Sequence, residues 1–152
     1  MLSRALQQFE EFIAYVESLS SKVDQAAWSN PIAPGKWTLK ELISHLWNWD
    51  VYSVEKMIPF MQDGAQLPPF VDLDAYNNTA IEKAKRFPDP EALIHQFAAT
   101  RREMIQKLEE IYDPSIRFTI GNEEGQLSID SYVDIFVHHD EHHKRQIEAL
   151  CN

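Results

Sequence analysis

Four of the six histidines of this chain fall within six consecutive positions near its C-terminal end. Imidazole is the commonest side-chain ligand for metals, so such a group is typical of a metal site. A helix turns by about 100° per residue and cannot aim all four rings at one point. The prediction therefore depends on which of them face the protein interior. The four are His138, His139, His142 and His143.

His139 and His143 are predicted to face the core of the protein. The apolar residues of this segment lie within about 80° of His139 on a helical wheel, and His143 lies about 40° from it, inside their arc. That arc comprises Tyr132, Ile135, Phe136, Ile147 and Leu150. His142 falls at the edge of the arc and His138 on the polar side. We therefore expect His138 and His142 to meet water.

A third metal ligand is needed from another element, because two histidines one turn apart rarely complete a useful site. His45 is the candidate, since it lies among Leu42, Leu46 and Trp49 on the apolar face of a second predicted helix. A lone core histidine is usually a packing residue, but three inward histidines on two helices favour a metal. Three ligands leave a coordination position open, as in catalytic sites. The predicted ligands of one divalent metal are His45, His139 and His143.

Two alternative metal sites use other spacings. His138, Glu141 and His142 match the inverted zincin motif H-x-x-E-H, in which the histidines bind zinc and the glutamate is the base. The helical wheel places these residues on the polar side, so this alternative is less favoured. A di-iron bundle requires Glu-x-x-His on two helices, and the sequence contains no such spacing. Among metals, imidazole ligands suit zinc, nickel, cobalt or iron, and we expect zinc or nickel first.

Four long amphipathic helices are predicted to position these histidines. Apolar residues recur every three or four positions over 2–22, 38–58 and 90–111, and in a last helix that runs from Ser128 or Asp130 to about Leu150. Thr38 and Glu41 predict a capping box at the start of the second helix, and Pro59 is expected to end or kink it.

Two shorter elements complete the prediction. Residues 72–85 predict a short helix, and residues 117–128 a small hairpin whose strands are too short to add much stability. With no convincing sheet, the chain is expected to form one all-α domain over residues 1–152, an antiparallel four-helix bundle. Such bundles place metal sites in the core, between facing helices.

Composition excludes several classes of partner. The chain has 152 residues, 14 basic and 24 acidic, and a formal net charge of −10, which repels nucleic acid and anionic membranes. The single cysteine, Cys151, permits no internal disulfide and favours the cytoplasm. Residues 1–20 contain neither a basic leader nor a continuous apolar run, so we expect no signal peptide and no membrane span.

Two motifs resemble those of a known family. The stretch KWTLKELISHL, from Lys36 to Leu46, resembles the second-helix signature of the DinB/YfiT-like superfamily. Its C-terminal motif H-x-x-x-H-x-x-Q-I is matched by His139, His143, Gln146 and Ile147. The resemblance spans essentially the whole chain. It implies a bundle of up-down-down-up topology, commonly a homodimer, with a three-histidine metal site whose ligands here are His45, His139 and His143.

Some members of that superfamily are bacillithiol or mycothiol S-transferases or isomerases. The resemblance therefore implies that the metal activates a low-molecular-weight thiol, or water, for reaction with a small-molecule substrate. We predict a thiol-dependent S-transferase first, a metal-dependent hydrolase second, and, outside enzymes, a stress-linked bundle that binds metal without catalysis. Glu41, one turn before His45, is a candidate to orient its ring, in competition with its capping role. Trp49 is expected to pack in the core or wall the site.

Two further expectations concern the surface. Trp47 lies about 160° around the second helix from His45, so it is expected to face outward and to form part of a homodimer interface. The residues that could bind an anion are scattered. They include Lys36, Arg101 and Arg102.

Overall fold

Residues 2–151 are described by a computed structural model, and helices account for most of them. The helices are α1 (Arg4–Lys22), α2 (Leu39–Tyr52), α3 (Leu73–Ala84), α4 (Pro90–Ile111) and α5 (Ile129–Cys151). Two short strands, β1 (Gln66–Leu67) and β2 (Thr119–Ile120), pair in parallel. Within this described range no helix is both long and apolar enough to cross a membrane.

Side-chain caps explain where the helices begin. Thr38 accepts a hydrogen bond from the backbone N–H of Glu41, whose carboxylate accepts one from the N–H of Thr38, so the predicted capping box is present. Asp89 caps α4, with Pro90 in its first turn. Ser128 rather than Asp130 caps α5, because its hydroxyl accepts from the N–H of Ser131 at 3.0 Å. These caps match the predicted starts to within a residue or two.

The end of α2 also agrees with the sequence. Its helical path continues past Tyr52 as a π-turn (Ser53–Met57) and a 3-10 turn (Ile58–Phe60). Pro59 lies inside that last turn, and the chain leaves the helix one residue later. A proline cannot donate the backbone hydrogen bond that a further turn would need, so it sets the limit.

The contacts between helices show which of them run in the same direction. The ring of Phe9 packs on Phe136 at 6.0 Å between centroids, and, further along both helices, Lys144 lies over the ring of Tyr15 at 4.9 Å. Contact positions thus advance together, so α1 and α5 are parallel. They advance in opposite directions between α2 and α5, where His45 meets His143 and Ser53 meets Tyr132.

Helices α2 and α4 are also parallel. Lys40 donates to the carbonyl of Phe87, and Asp50, further along α2, pairs with Arg101, further along α4. The order of directions is therefore up, down, down, up for α1, α2, α4 and α5, with α3 in the crossing from α2 to α4. This all-α, four-helix topology confirms the predicted fold.

The predicted hairpin at 117–128 is present in its smallest form. Phe118 and Leu127 form a single antiparallel bridge with both backbone hydrogen bonds, and β2 pairs in addition, in parallel, with β1. A two-stranded hairpin with so few residues is marginal by itself, and β1 adds backbone hydrogen bonds from another loop. The distant strand at Gln66–Leu67 carries no local pattern that would reveal this pairing.

The outward orientation predicted for Trp47 is wrong. The side chain is half-buried, its Nε1–H donates to the Thr100 hydroxyl at 3.1 Å, and its ring packs edge-on against Phe87 at 5.5 Å. The reason is that α2 has packed neighbours on several sides, namely α3, α4 and α5. A homodimer stays a prediction, and Trp47 no longer supports an interface on α2.

Candidate metal centre

Three histidine rings from two helices converge on one point. The Nε2 atom of His139 lies 3.1 Å from Nε2 of His45 on α2 and 3.1 Å from Nε2 of His143 on its own helix. All three nitrogens lie within 4.8 Å of one another. Because α2 and α5 run antiparallel, the apolar face of each helix carries its histidines to the same level of the bundle.

The other two histidines of the cluster lie on the surface. His138 and His142 are exposed, as is Glu141 of the alternative H-x-x-E-H register. The Nδ1 atom of His138 contacts the backbone carbonyl of Asp134 at 2.7 Å, as expected for a solvated helical side chain. Over residues 2–151, the group of three potential ligands that comes together is His45, His139 and His143.

Hydrogen bonds fix which nitrogen of His45 is free. Trp49 Nε1–H, which can only donate, contacts Asn77 Oδ1 at 3.0 Å, so that atom must be the amide oxygen. His45 Nδ1 contacts the same oxygen at 3.0 Å and must therefore carry its proton. In the neutral ring the lone pair then resides on Nε2, the atom that faces the other two histidines.

His143 is held in the same way from its own helix. Its Nδ1 lies 2.7 Å from Oε1 of Gln146, less than one turn further along α5. With the amide oxygen as acceptor, Nδ1 carries the proton and Nε2 presents its lone pair. Metal-binding histidines usually donate their second N–H to an oxygen in this way, which fixes the tautomer and the ring orientation.

The arrangement fits a divalent metal. Nitrogen ligands lie about 2.0–2.1 Å from zinc, which puts two of them about 3.3 Å apart around a tetrahedral ion. The observed 3.1 Å separations are close to that value. Lone pairs of neutral rings repel at this distance, and a shared cation would remove the repulsion. The three-histidine cluster therefore fits a metal site.

Burial keeps these three histidines neutral. Loss of hydration lowers the pKa of His45 to about 3 and of His139 to about 4, with a further lowering from the neighbouring imidazoles. Burial lowers the pKa of His143 as well. A metal competes with protons for the same nitrogens, so at neutral pH this competition is weak.

A cavity of about 280 Å³ opens beside the histidines. Its walls combine apolar side chains of α2, α3, α5 and the loop before α3 with the polar groups at its base. The lining residues are His45, Trp49, Phe70, Leu73, Asn77, Ile135, Phe136 and His139. Ile135, which was predicted to be buried, is 47% exposed because it stands at the mouth of this cavity. Small molecules can therefore reach His45 and His139.

Comparison with known proteins agrees with this geometry. The family model of the DinB superfamily matches residues 6–147. The chain belongs to the DinB superfamily. The match confirms the resemblance seen in the sequence motifs, and it includes all three converging histidines.

This DinB chain is also similar to a solved structure, that of YfiT from Bacillus subtilis. The TM-score is 0.76 at 17% sequence identity, over 99% of this chain and 88% of that one. YfiT is described as a probable metal-dependent hydrolase with an unusual four-helix bundle topology. A search of the curated proteins gives no match. At this identity the structural likeness supports the fold.

The role predicted for Glu41 in this DinB chain is wrong. Its carboxylate accepts from the backbone N–H of Thr38 at 2.9 Å within the capping box, and Asn77 of α3 holds the ring of His45 instead. The competition between capping and ring orientation is thus decided in favour of the cap. Asn77 was missed because the packing of α3 against α2 brings it to His45 from 32 residues away.

Asn77→Ala is expected to lower metal affinity by about 10–100-fold, because His45 loses the acceptor that fixes its tautomer and orientation. Competition with a chromogenic chelator measures the affinity. Glu41→Ala is the matched control: it removes half of a capping box, which destabilises the fold by about 1 kcal/mol, and should leave metal affinity unchanged. A larger loss of affinity in Glu41→Ala than in Asn77→Ala would restore the sequence-based assignment.

A buried ion network lies next to the three-histidine cluster in the bundle. Arg101 of α4 is 1% exposed and pairs with Asp50 of α2 at 2.8 Å and with Asp140 of α5 at 2.7 Å. Its guanidinium carbon lies 3.7 Å from the centre of the Phe9 ring. The expectation that Arg101 is a scattered anion-binding residue is therefore wrong, because two carboxylates of the same chain already neutralise it.

The pKa values of the two carboxyls in this network, and that of the neighbouring His139, are shifted. Burial raises the pKa of Asp140 to about 6, against the opposing effect of Arg101, and it raises the pKa of Asp50 as well. Asp140 directly follows His139 in the sequence, and the positive charge of Arg101 contributes to the lowered pKa of His139. Arg101 thus links the two helices that carry the histidines, α2 and α5.

Proposed function

We propose that this chain is a metal-dependent enzyme in which His45, His139 and His143 bind one divalent cation. Zinc and nickel are the preferred candidates. The reaction in this proposal is the transfer of a low-molecular-weight thiol to an electrophilic small molecule. The observation that carries the proposal is the convergence of three histidine Nε2 atoms at the base of an open cavity. A divalent cation bound there supplies Lewis acidity, which lowers the pKa of a thiol or of water towards ~7.

Two of the three histidines face the cavity, and two further side chains hold the histidine rings in place. His45 and His139 form part of the cavity wall, while His143 is 8% exposed and lies outside the lining. Asn77 and Gln146 hold the rings of His45 and His143 so that each Nε2 keeps its direction. The ligands are therefore preorganised, and the cavity side is the direction from which a substrate can approach.

A thiol is favoured over water by the lining of the cavity. Among its described lining residues there is no carboxylate that could take a proton from attacking water. A thiol has an unperturbed pKa near 8.5, far below that of water, so it needs less help to ionise. We therefore propose bacillithiol or a similar thiol as the co-substrate in preference to water.

Hydrolysis is the second candidate, and the description of YfiT as a probable metal-dependent hydrolase favours it. In that case water takes the place of the thiol and the histidine set is unchanged. The predictions of a cytoplasmic location, of a homodimer, and of no nucleic-acid or membrane partner stay with this proposal as sequence-based expectations.

Turnover of a model electrophile such as monochlorobimane, with and without bacillithiol, tests the proposal. We expect thiol-dependent product formation by the zinc- or nickel-loaded protein, at least tenfold faster than by His139→Ala, with His138→Ala as the matched active control. Thiol-independent cleavage of an activated ester would instead support the hydrolase. Stoichiometric metal binding with neither activity would contradict both and favour a non-catalytic bundle.

A further inference from the structure

We propose that the cavity beside the three histidines recognises an uncharged aromatic or branched aliphatic group on the electrophilic substrate. This inference rests on the proposed function and adds the class of molecule that the site accepts. The juxtaposition that carries it is an apolar wall and mouth above a base that contains the metal-binding nitrogens.

The wall of the cavity is aromatic and held in place. Trp49 packs against Phe70 at 5.8 Å and against Tyr76 at 4.7 Å between ring centroids, and its Nε1–H donates to Asn77. Phe136 of α5 closes the other side and is 6% exposed. A hydrogen-bonded tryptophan within an aromatic cluster offers a preformed apolar surface, which costs little ordering when a ligand binds.

The mouth of the cavity exposes two large aliphatic side chains from different helices. Leu73 at the start of α3 is 59% exposed, and Ile135 of α5 is 47% exposed. Both line the same cavity, so they form one concave apolar surface rather than scattered contacts with water. A concave apolar site with a few convergent polar groups is typical of a binding site for a small molecule.

Polar and apolar groups are separated within the cavity. Among its described lining residues the polar side chains are His45, His139 and Asn77, which lie together at the metal-binding nitrogens, and none is an acid, a lysine or an arginine. A charged group placed against the apolar wall would lose hydration without gaining a partner. The substrate is therefore oriented with its reactive atom at the histidines and its uncharged group between Trp49 and Ile135.

The size of the cavity limits that group. A dry cavity of about 150 Å³ can hold a benzene molecule, and this cavity measures about 280 Å³. It has room for a phenyl ring and a linker of comparable volume. A polar, sugar-like thiol finds no charged partner in this lining, so the apolar wall suits the electrophile, and only the sulfur of the thiol needs to reach the histidines.

The test compares two neutral probes that differ in one end group, 4-phenylbutan-1-ol and butane-1,4-diol, by equilibrium dialysis with the metal-loaded protein. Burial of a phenyl ring is worth roughly 10–100-fold in affinity. We expect the phenyl probe to bind at least tenfold more tightly than the diol. Equal binding of the two would overturn the proposal.

Matched variants locate the binding. Leu73→Glu and Ile135→Glu place a charge at the mouth and should weaken the phenyl probe at least tenfold, whereas Phe60→Glu should not, although Phe60 is 51% exposed and equally apolar. All three positions are exposed, and circular dichroism with metal content verifies that each variant folds. Equal weakening by Phe60→Glu would contradict the assigned site.

Repeating the dialysis after chelation of the metal separates this inference from the proposed function. Binding of the phenyl probe by chelated protein would support the cavity even if thiol transfer failed, and no binding in either state would overturn it even if thiol transfer succeeded. Light scattering of the same variants tests whether a second copy of this chain, rather than a small molecule, occupies this surface. If glutamate at Leu73 or Ile135 turns a dimer into a monomer and the unmodified dimer binds no phenyl probe, the surface is an interface between copies and the proposal is wrong.

Discussion

Alanine at position 45, 139 or 143 is expected to abolish metal binding, whereas His138→Ala and His142→Ala leave about one divalent metal per chain. Each of the first three variants removes one of the converging Nε2 atoms, and two histidines rarely retain a divalent metal against dialysis. The last two remove exposed rings. Elemental analysis of dialysed protein, loaded with zinc or with nickel, measures the metal content directly.

The five variants form a controlled set, because four of the positions lie on one helix within six residues. A general effect on α5 would appear in all four, while a ligand effect follows the two inward positions alone. The reverse pattern, with metal lost from His138→Ala and His142→Ala, would establish the inverted zincin register. A loss confined to α5 variants, with His45→Ala unaffected, would contradict the assignment of α2 to the site.

The converging histidines could be predicted from the sequence because helical periodicity encodes which face each residue occupies. His139 and His143 share an apolar arc with Phe136 and Ile147, and His45 shares one with Leu42. Burial of those arcs leaves the rings little choice of direction. The N-cap residues and prolines set the helix ends in the same local way, so the helix bounds and the buried faces could be predicted from the sequence.

The groups that surround the histidines could not be predicted from the sequence, because their positions depend on packing between distant segments. Asn77 lies on α3, whose apolar pattern is weak, and reaches His45 through the packing of α3 on α2. Glu41 was the polar residue one turn before His45 on roughly the same helix face, yet its carboxylate already accepts from the N–H of Thr38. Local spacing cannot decide between two acceptors when one of them comes from another helix.

Arg101 shows the same limit in the core. Arg101 lies on the apolar face of α4, one turn after Phe97 and one turn before Met104, but nothing in the local sequence shows which groups neutralise it there. Its partners are Asp50 and Asp140, which reach it from α2 and α5. Because these helices also carry the three converging histidines, the ion network sets their relative position at the level of the candidate site.

Arg101→Met is expected to lower the free energy of unfolding by about 3–5 kcal/mol at neutral pH. The substitution keeps an apolar side chain of similar length but leaves Asp50 and Asp140 as buried carboxylates without a counter-ion. Urea denaturation of the metal-free protein measures the difference from the unmodified chain. Arg102→Met is the matched control, since Arg102 is largely exposed and its ion pair with Glu17, at 3.3 Å, is worth roughly 0–1 kcal/mol.

The pH dependence of that difference identifies its cause. Burial already raises the pKa of Asp140 to about 6 and raises that of Asp50, and removal of Arg101 raises both further. A carboxyl whose pKa is higher in the folded state binds protons more readily there, so falling pH stabilises the fold of the variant relative to the unmodified chain. The deficit should therefore be largest at alkaline pH and shrink as the pH falls towards about 6, below which Asp140 takes up a proton in the unmodified chain as well. The lowered histidine pKa values act mainly on both proteins alike and largely cancel in the difference. A deficit that stays constant from pH 8 to pH 5 would mean that lost packing against Phe9, rather than uncompensated charge, accounts for the effect.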